Sequence, residues 1–391
     1  MNRLIYLFPV AINLLLGGMF YITALRFSEA QAPGWVVGLT QTAWALIYSV
    51  LSLGVGRILT VRNAATILNI GCAMLTLSSL GFLFTGGLYT QFVWIVLAGI
   101  GSAGYCAPFQ MLMKEVEPDQ AQDGIVSAVG KYTCAWSLGL ATGPLLFGLL
   151  PPQQVFAINT GVSFALWAGA FALSVSLKRK RAAAPGGQVP VPDNARPAGP
   201  LPAPGDSAFR SLAKLGWLIG GAGAFSMALI RVMWPRRGVE LEIAPRDIGL
   251  ALALLCYIQA GLGLAFAWSK SWMRKPLPTF LAGLSGTAGL ALFAFAPGQA
   301  WCFYLASTLF GLYSSCFYFL LVYFALEDAE HAARNVGINE FIVGITGITS
   351  PIFGGLLAAP GAAGRAFYPE IVLTVAVTIY AAIVLRRAAR S

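Results

Sequence analysis

Charge is what this sequence has least of. Asp, Glu, Lys and Arg make up 10% of its 391 residues, against about 25% in a soluble globular domain. So few charges cannot cover a water-facing surface, which argues against a soluble enzyme or binding module. Histidine occurs once, at His331, inside the charged stretch EDAEHAARN. That stretch does not supply the converging ligands a metal centre needs, so His331 reads as part of a solvated loop. The six cysteines, Cys72, Cys106, Cys134, Cys256, Cys302 and Cys316, all fall in apolar runs and form no C-x-x-C pair. They read as small packing residues, with no disulfide framework implied. No Ser-His-Asp set, phosphate loop or nucleotide fingerprint is present. The expectation is a chain with no catalytic residue, no metal and no cofactor.

Apolar residues are abundant instead: 58% of the chain, with a mean hydropathy of +0.74. A membrane-spanning helix needs about 20 predominantly apolar residues. Twelve runs qualify: 4–25, 35–53, 64–85, 91–113, 124–149, 155–177, 212–233, 248–268, 279–296, 300–325, 336–357 and 368–385. The first is longer than the core of a signal peptide and reads as a retained span. The fold class is therefore an all-α membrane protein with twelve transmembrane helices in a lipid bilayer.

One connection stands apart. Residues 178–211 open with Lys178-Arg179-Lys180-Arg181 and continue through AAAPGGQVPVPDNARPAGPLPAPGD. With little to bury, this segment reads as a disordered or extended linker. It divides the chain into an N-terminal six-helix bundle, 1–177, and a C-terminal six-helix bundle, 212–391. Most of the 25 Lys and Arg fall on the side of the N-terminus, the linker and the C-terminus. That bias puts both termini in the cytoplasm and the chain in a cytoplasmic (inner) membrane. The net charge of +10 is then a topology signal and an attraction to anionic headgroups, and no nucleic-acid partner is implied.

The two halves repeat a frame. The fifth run carries Gly130, then Gly139, then Gly143-Pro144, then Gly148; the eleventh carries Gly337, Thr346, Ser350-Pro351 and Gly354-Gly355 at the same spacing. Thr142 and Thr349 also correspond, and Gly101 and Cys106 align with Gly311 and Cys316 one helix earlier. A duplicated six-span unit suggests two halves that rock about a shared site near the midplane. Small residues let backbones approach in lipid, and the prolines bend their helices. The glycine–proline face is expected to serve as a sliding surface between the halves; the alternative is a set of kinked helices in a rigid bundle.

These features resemble the major facilitator superfamily. Gly130-x8-Gly139-x3-Gly143-Pro144-x3-Gly148 is similar to the fifth-helix motif that often accompanies antiport there, with Phe147 standing where a glycine is usual. The resemblance implies two pseudo-symmetric bundles and a cavity lined by the first, fourth, seventh and tenth helices. A second family motif departs: the loop GVGRILTVRN keeps Arg57 and Arg62 but has Ile58 in place of an aspartate. Gly337-Ile338-Asn339-Glu340 resembles the eleventh helix of an uncharacterised bacterial branch.

Charges within spans are functional candidates by default. Lys131, Arg231 and Glu340 are taken as candidates. Lys131 and Arg231 have snorkelling to the interface as their alternative role. Glu340 is a candidate for proton coupling, for a structural contact or for substrate contact. Depth along the helix selects Asn13, Ser226, Tyr257, Gln259 and Tyr313 to Ser315. The resemblance, which places the first, fourth, seventh and tenth helices around the cavity, implies Asn13 and Tyr313 first as substrate contacts, with Gln110 behind them, and Phe317 joins them from an aromatic stripe. Phe310, Phe317 and Phe324 recur on one helical stripe, which faces either an apolar or aromatic substrate or a neighbouring helix. The expected function is secondary active transport of a small organic molecule, first as efflux in exchange for a proton or other coupling ion. Uptake by symport or uniport, and a non-transporting sensor, are the alternatives. The chain is expected to act as a monomer.

Overall fold

In the computed structural model the described residues are 4–60, 62–116, 122–183, 207–268, 272–327 and 332–388. They form twelve long helices: α1 Leu7–Glu29, α2 Gly34–Ile58, α3 Ala64–Phe84, α4 Gln91–Val116, α5 Gln122–Leu149, α6 Pro152–Ala183, α7 Ser207–Glu240, α8 Pro245–Trp268, α9 Pro276–Phe295, α10 Ala300–Glu327, α11 Ala332–Leu357 and α12 Tyr368–Ala388. No strand occurs among the described residues. In a bilayer each backbone donor and acceptor must be satisfied within its own segment, which leaves helices as the solution for such runs.

Eleven of these helices are long and apolar enough to cross a membrane. The remaining one is α5. Its glycines, Thr133, Ser137, Thr142 and Lys131 dilute the apolar side chains. That dilution suits its position, because α5 packs along α1 and α8 and has protein on two sides. The lipid-facing surface is apolar elsewhere, with Phe84, Val372 and Leu277 among its exposed side chains.

The packing of the first six helices is repeated by the last six. α1 lies on α5 as α7 lies on α11; α3 lies on α4 as α9 lies on α10; α3 meets α6 as α9 meets α12. The two bundles join along two seams, α2 against α11 and α5 against α8. The ends of the segment expected as a linker differ from expectation. α6 continues to Ala183 and α7 begins at Ser207, so both ends of 178–211 are helical; 184–206 lie outside the described residues. His331 is likewise outside it.

The close-approach pair has a different partner from the one expected. Gly139 and Gly143 face the backbone of α1, where an added methyl would meet Asn13 Cβ at 2.9 Å and Leu14 O at 2.6 Å. They bind α5 to α1 inside the first bundle and do not form the sliding surface. In the second bundle Ser350 plays the matching part, donating to Phe225 O of α7 at 2.6 Å. The seams themselves use the next residue along. Pro144 O lies against Gly249 of α8, and Pro351 O lies against Gly38 of α2.

Candidate functional site

The α2–α11 seam is closed at one end of the bundle and parts toward the other, while α5 and α8 stay in contact as far as Thr133 and Gly263. At the end where α1 passes into α2, Gly34 lies against the carbonyls of Gly355 and Ala358. Thr42 Oγ1 donates to Ile348 O at 2.9 Å. Two hydrogen bonds cross between the bundles there in opposite senses: Tyr21 to Pro245 O at 2.5 Å, and Arg236 Nη1 to Ala32 O at 2.6 Å. Toward the end that holds the chain termini, the described residues of α2 lose contact with α11. From Val50 to Ile58 every residue of α2 is exposed or half-exposed, and side chains at Gly54, Gly56 or Gly337 would meet open space.

Where the α2–α11 seam parts, Glu340 of α11 accepts a hydrogen bond from Tyr48 of α2 at 3.4 Å. Tyr48 is fixed by stacking on Trp44, 5.0 Å between ring centres and nearly parallel. Trp44 is itself held by a 3.2 Å bond to Ser102 on α4. Cys106 and Tyr132 lie within electrostatic range of Glu340, and Gln110 is within hydrogen-bonding reach of Tyr132. The result is one carboxylate from the second bundle facing a set of weakly polar groups from the first. The sequence singled out Glu340 and Gln110; Tyr48, Cys106 and Tyr132 were missed, because their own helices give no sign of the shared neighbour.

Arg231 lies deeper than its sequence position suggested. The seventh run ends at 233 by hydropathy, which put Arg231 near the membrane surface. Yet α7 continues through Pro235, Arg236 and Arg237 to Glu240. Nine residues of helix beyond Arg231 place it about 13 Å from the helix end. It borders a small cavity between α1, α5, α7 and α8, with Tyr21, Pro144, Met227 and Cys256.

Four other candidates have no free surface in this conformation. Tyr313, Phe317, Ser226 and Gln259 are fully buried inside the second bundle. Tyr313 packs on Gly286 of α9 and meets Phe317 edge-on at 4.2 Å. The stripe of Phe310, Phe317 and Phe324 is buried against neighbouring helices. Gln259 accepts from Ser314 at 3.3 Å. Asn13 is half-buried and donates to Pro9 O of its own helix at 2.8 Å. Lys131 is exposed and forms no ion pair among the described residues. Another charge within a run was overlooked: Glu370, on the first turn of α12, is 1% exposed and accepts from Ser226 at 3.0 Å. No group of His, Cys, Asp and Glu among the described residues has metal-binding geometry.

The family model for the Major Facilitator Superfamily matches residues 4–351. The chain belongs to that superfamily. It is thus a multi-pass membrane transporter. Solved structures agree at the level of the fold. The nucleoside transporter NupG is similar with a TM-score of 0.66 at 11% identity, covering 98% of each chain. The human organic anion transporter MFSD10 (TETRAN) gives 0.66 at 12%, covering 97% of this chain and 98% of that one. A structure concerned with proton dependent oligopeptide transporters gives 0.67 at 14%, covering 99% of both. A search of curated protein sequences gives no match.

Proposed function

We propose that this superfamily member is a secondary active transporter that moves a small organic molecule across the cytoplasmic membrane by alternating access, with proton-coupled efflux as its working direction. The halves 1–177 and 212–391 act as the two moving units, and both termini face the cytoplasm. One observation carries the reading: the α2–α11 seam between the bundles is closed at one end and parts toward the other, with Glu340 at the parting point held by Tyr48 of the opposite half. A carboxylate that loses or gains a partner as the seam opens changes its proton affinity with conformation, which is what coupling requires. The fifth-helix frame around Gly139, Gly143 and Pro144 supports antiport by resemblance. Reconstitution in vesicles with an imposed pH gradient tests the proposal. The expected result is solute movement against its gradient in exchange for protons; solute binding with no flux in either direction would leave a sensor.

A further inference from the structure

We infer that Arg231 is the recognition point for an anionic substrate, and that the substrate is an organic carboxylate with an apolar or aromatic body. This inference rests on the transporter reading and names its cargo.

An arginine in the interior of a membrane protein is costly unless a counter-charge meets it. Arg231 has no acidic partner within ion-pair distance among the described residues. Glu340 is engaged with Tyr48, and Glu370 with Ser226. The two arginines that follow it on α7 are used structurally: Arg236 holds the Ala32 carbonyl, and Arg237 pairs with Glu240 at 3.5 Å. Of these three, Arg231 borders a cavity at the junction of both bundles, with Tyr21 and Pro144 from the first and Cys256 from the second.

Its surroundings suit one kind of ligand. The guanidinium presents paired donors that match a carboxylate. Around it stand Met227, Leu252 and Phe20, which offer apolar contact and no competing acid. Tyr318 on α10 lies within electrostatic range, and its ring meets Trp136 of α5 edge-on at 5.7 Å, an aromatic pair that bridges the bundles. Tyr132, Trp136 and Leu140 are spaced four residues apart on α5 and so share one face. That face runs from the neighbourhood of Glu340 to the neighbourhood of Arg231. A carboxylate on Arg231 would therefore lay its apolar body along aromatic and aliphatic side chains.

The experiment is ligand-dependent thermal stabilisation of the purified full-length protein with benzoate, phenylacetate and indole-3-acetate, each beside its amide and its amine. Carboxylates are expected to raise the melting temperature, while amides and amines leave it unchanged. Arg231→Gln is expected to abolish the response, and Arg231→Lys to weaken binding by roughly tenfold, since the paired donor geometry is lost. No response to any carboxylate, an equal response to the amides, or full binding in the lysine variant would overturn the proposal; the lysine variant keeps it testable if the glutamine variant does not fold. Counterflow of the bound carboxylate in vesicles separates the two readings. Binding without counterflow removes the transport reading and leaves the site, whereas counterflow of a neutral solute with no carboxylate binding removes the site alone.

Discussion

Gly38 on α2 lies so close to the carbonyl of Pro351 on α11 that a side chain there would overlap the backbone. Its counterpart is the contact of Gly249 with the carbonyl of Pro144, where an added methyl would come within 2.5 Å. The two contacts are copies of each other in the two seams. They are what a moving seam needs: a flat meeting of backbones with few interlocking side chains, made or broken at little rearrangement cost.

Gly38→Ala and Gly249→Ala are expected to weaken the closed end by about 1–3 kcal/mol each, the usual cost of overpacking. The loss falls on one conformation and not on the fold of either bundle. A cysteine replacing Tyr21 in a cysteine-free background should then react faster with an impermeant thiol reagent, while the melting temperature changes little. Unchanged labelling would show that the seam tolerates the methyl group.

Gly143→Ala has a different expected signature. Gly143 sits against α1 within one bundle, with Gly18 and Leu14 backbone atoms in the way of a side chain. The substitution is expected to lower thermal stability by an amount of the same order, about 1–3 kcal/mol, without favouring either access state. Melting curves set beside those of Gly38→Ala distinguish a structural glycine from a seam glycine.

Arg236→Gln removes the charge-assisted bond to the Ala32 carbonyl, worth about 1.5–3 kcal/mol. Because that bond joins the two bundles at the closed end, its loss should shift the protein toward the alternative access state. The Tyr21 cysteine reporter would again read the shift, and no increase in labelling would place Arg236 outside the gate.

Glu340→Gln is expected to abolish transport against a gradient and to spare equilibrium exchange, because the amide still pairs with Tyr48 but carries no titratable proton. Tyr48→Phe loses one long hydrogen bond and should cost only a few-fold in rate, about 1 kcal/mol or less. Retained uphill transport in the glutamine variant would remove Glu340 from the coupling step.

Glu370→Gln should be nearly silent in transport, since an amide can still accept from Ser226. Glu370→Ala leaves Ser226 without that partner and opens a void, with an expected loss of about 2–4 kcal/mol in stability. A changed pH profile in the glutamine variant would instead make Glu370 part of the proton path.

The helices were legible in the sequence because lipid demands long apolar runs, and twelve such runs appear where twelve helices lie. Their pairing was partly legible. The shared frame of Gly143-Pro144 and Ser350-Pro351 marks equivalent positions in the two halves, but a small residue marks a close approach without naming the approaching helix. Gly139 and Gly143 therefore looked like seam residues and proved to face α1. Arg231 was placed too shallow because Pro235, Arg236 and Arg237 look like the end of a span. The helix passes through them, since Arg236 finds a carbonyl on the opposite bundle. Glu370 stands at the start of an apolar run and resembles a flanking acid; only the fold brings Ser226 to it. Tyr313 was chosen by depth and Phe317 by its place in an aromatic stripe, but neither depth nor spacing says which way a side chain faces.

The central claim is that the two bundles rock against each other about the seams. Spin-label distances measured across both ends in one experiment test it most directly, with labels at Ala30 and Ala359 for the closed end and at Ile58 and Trp268 for the open end. The account expects two populations in which the first distance lengthens as the second shortens, with substrate and pH shifting their balance. Two single, unchanging distances, or distances that lengthen together, would contradict it.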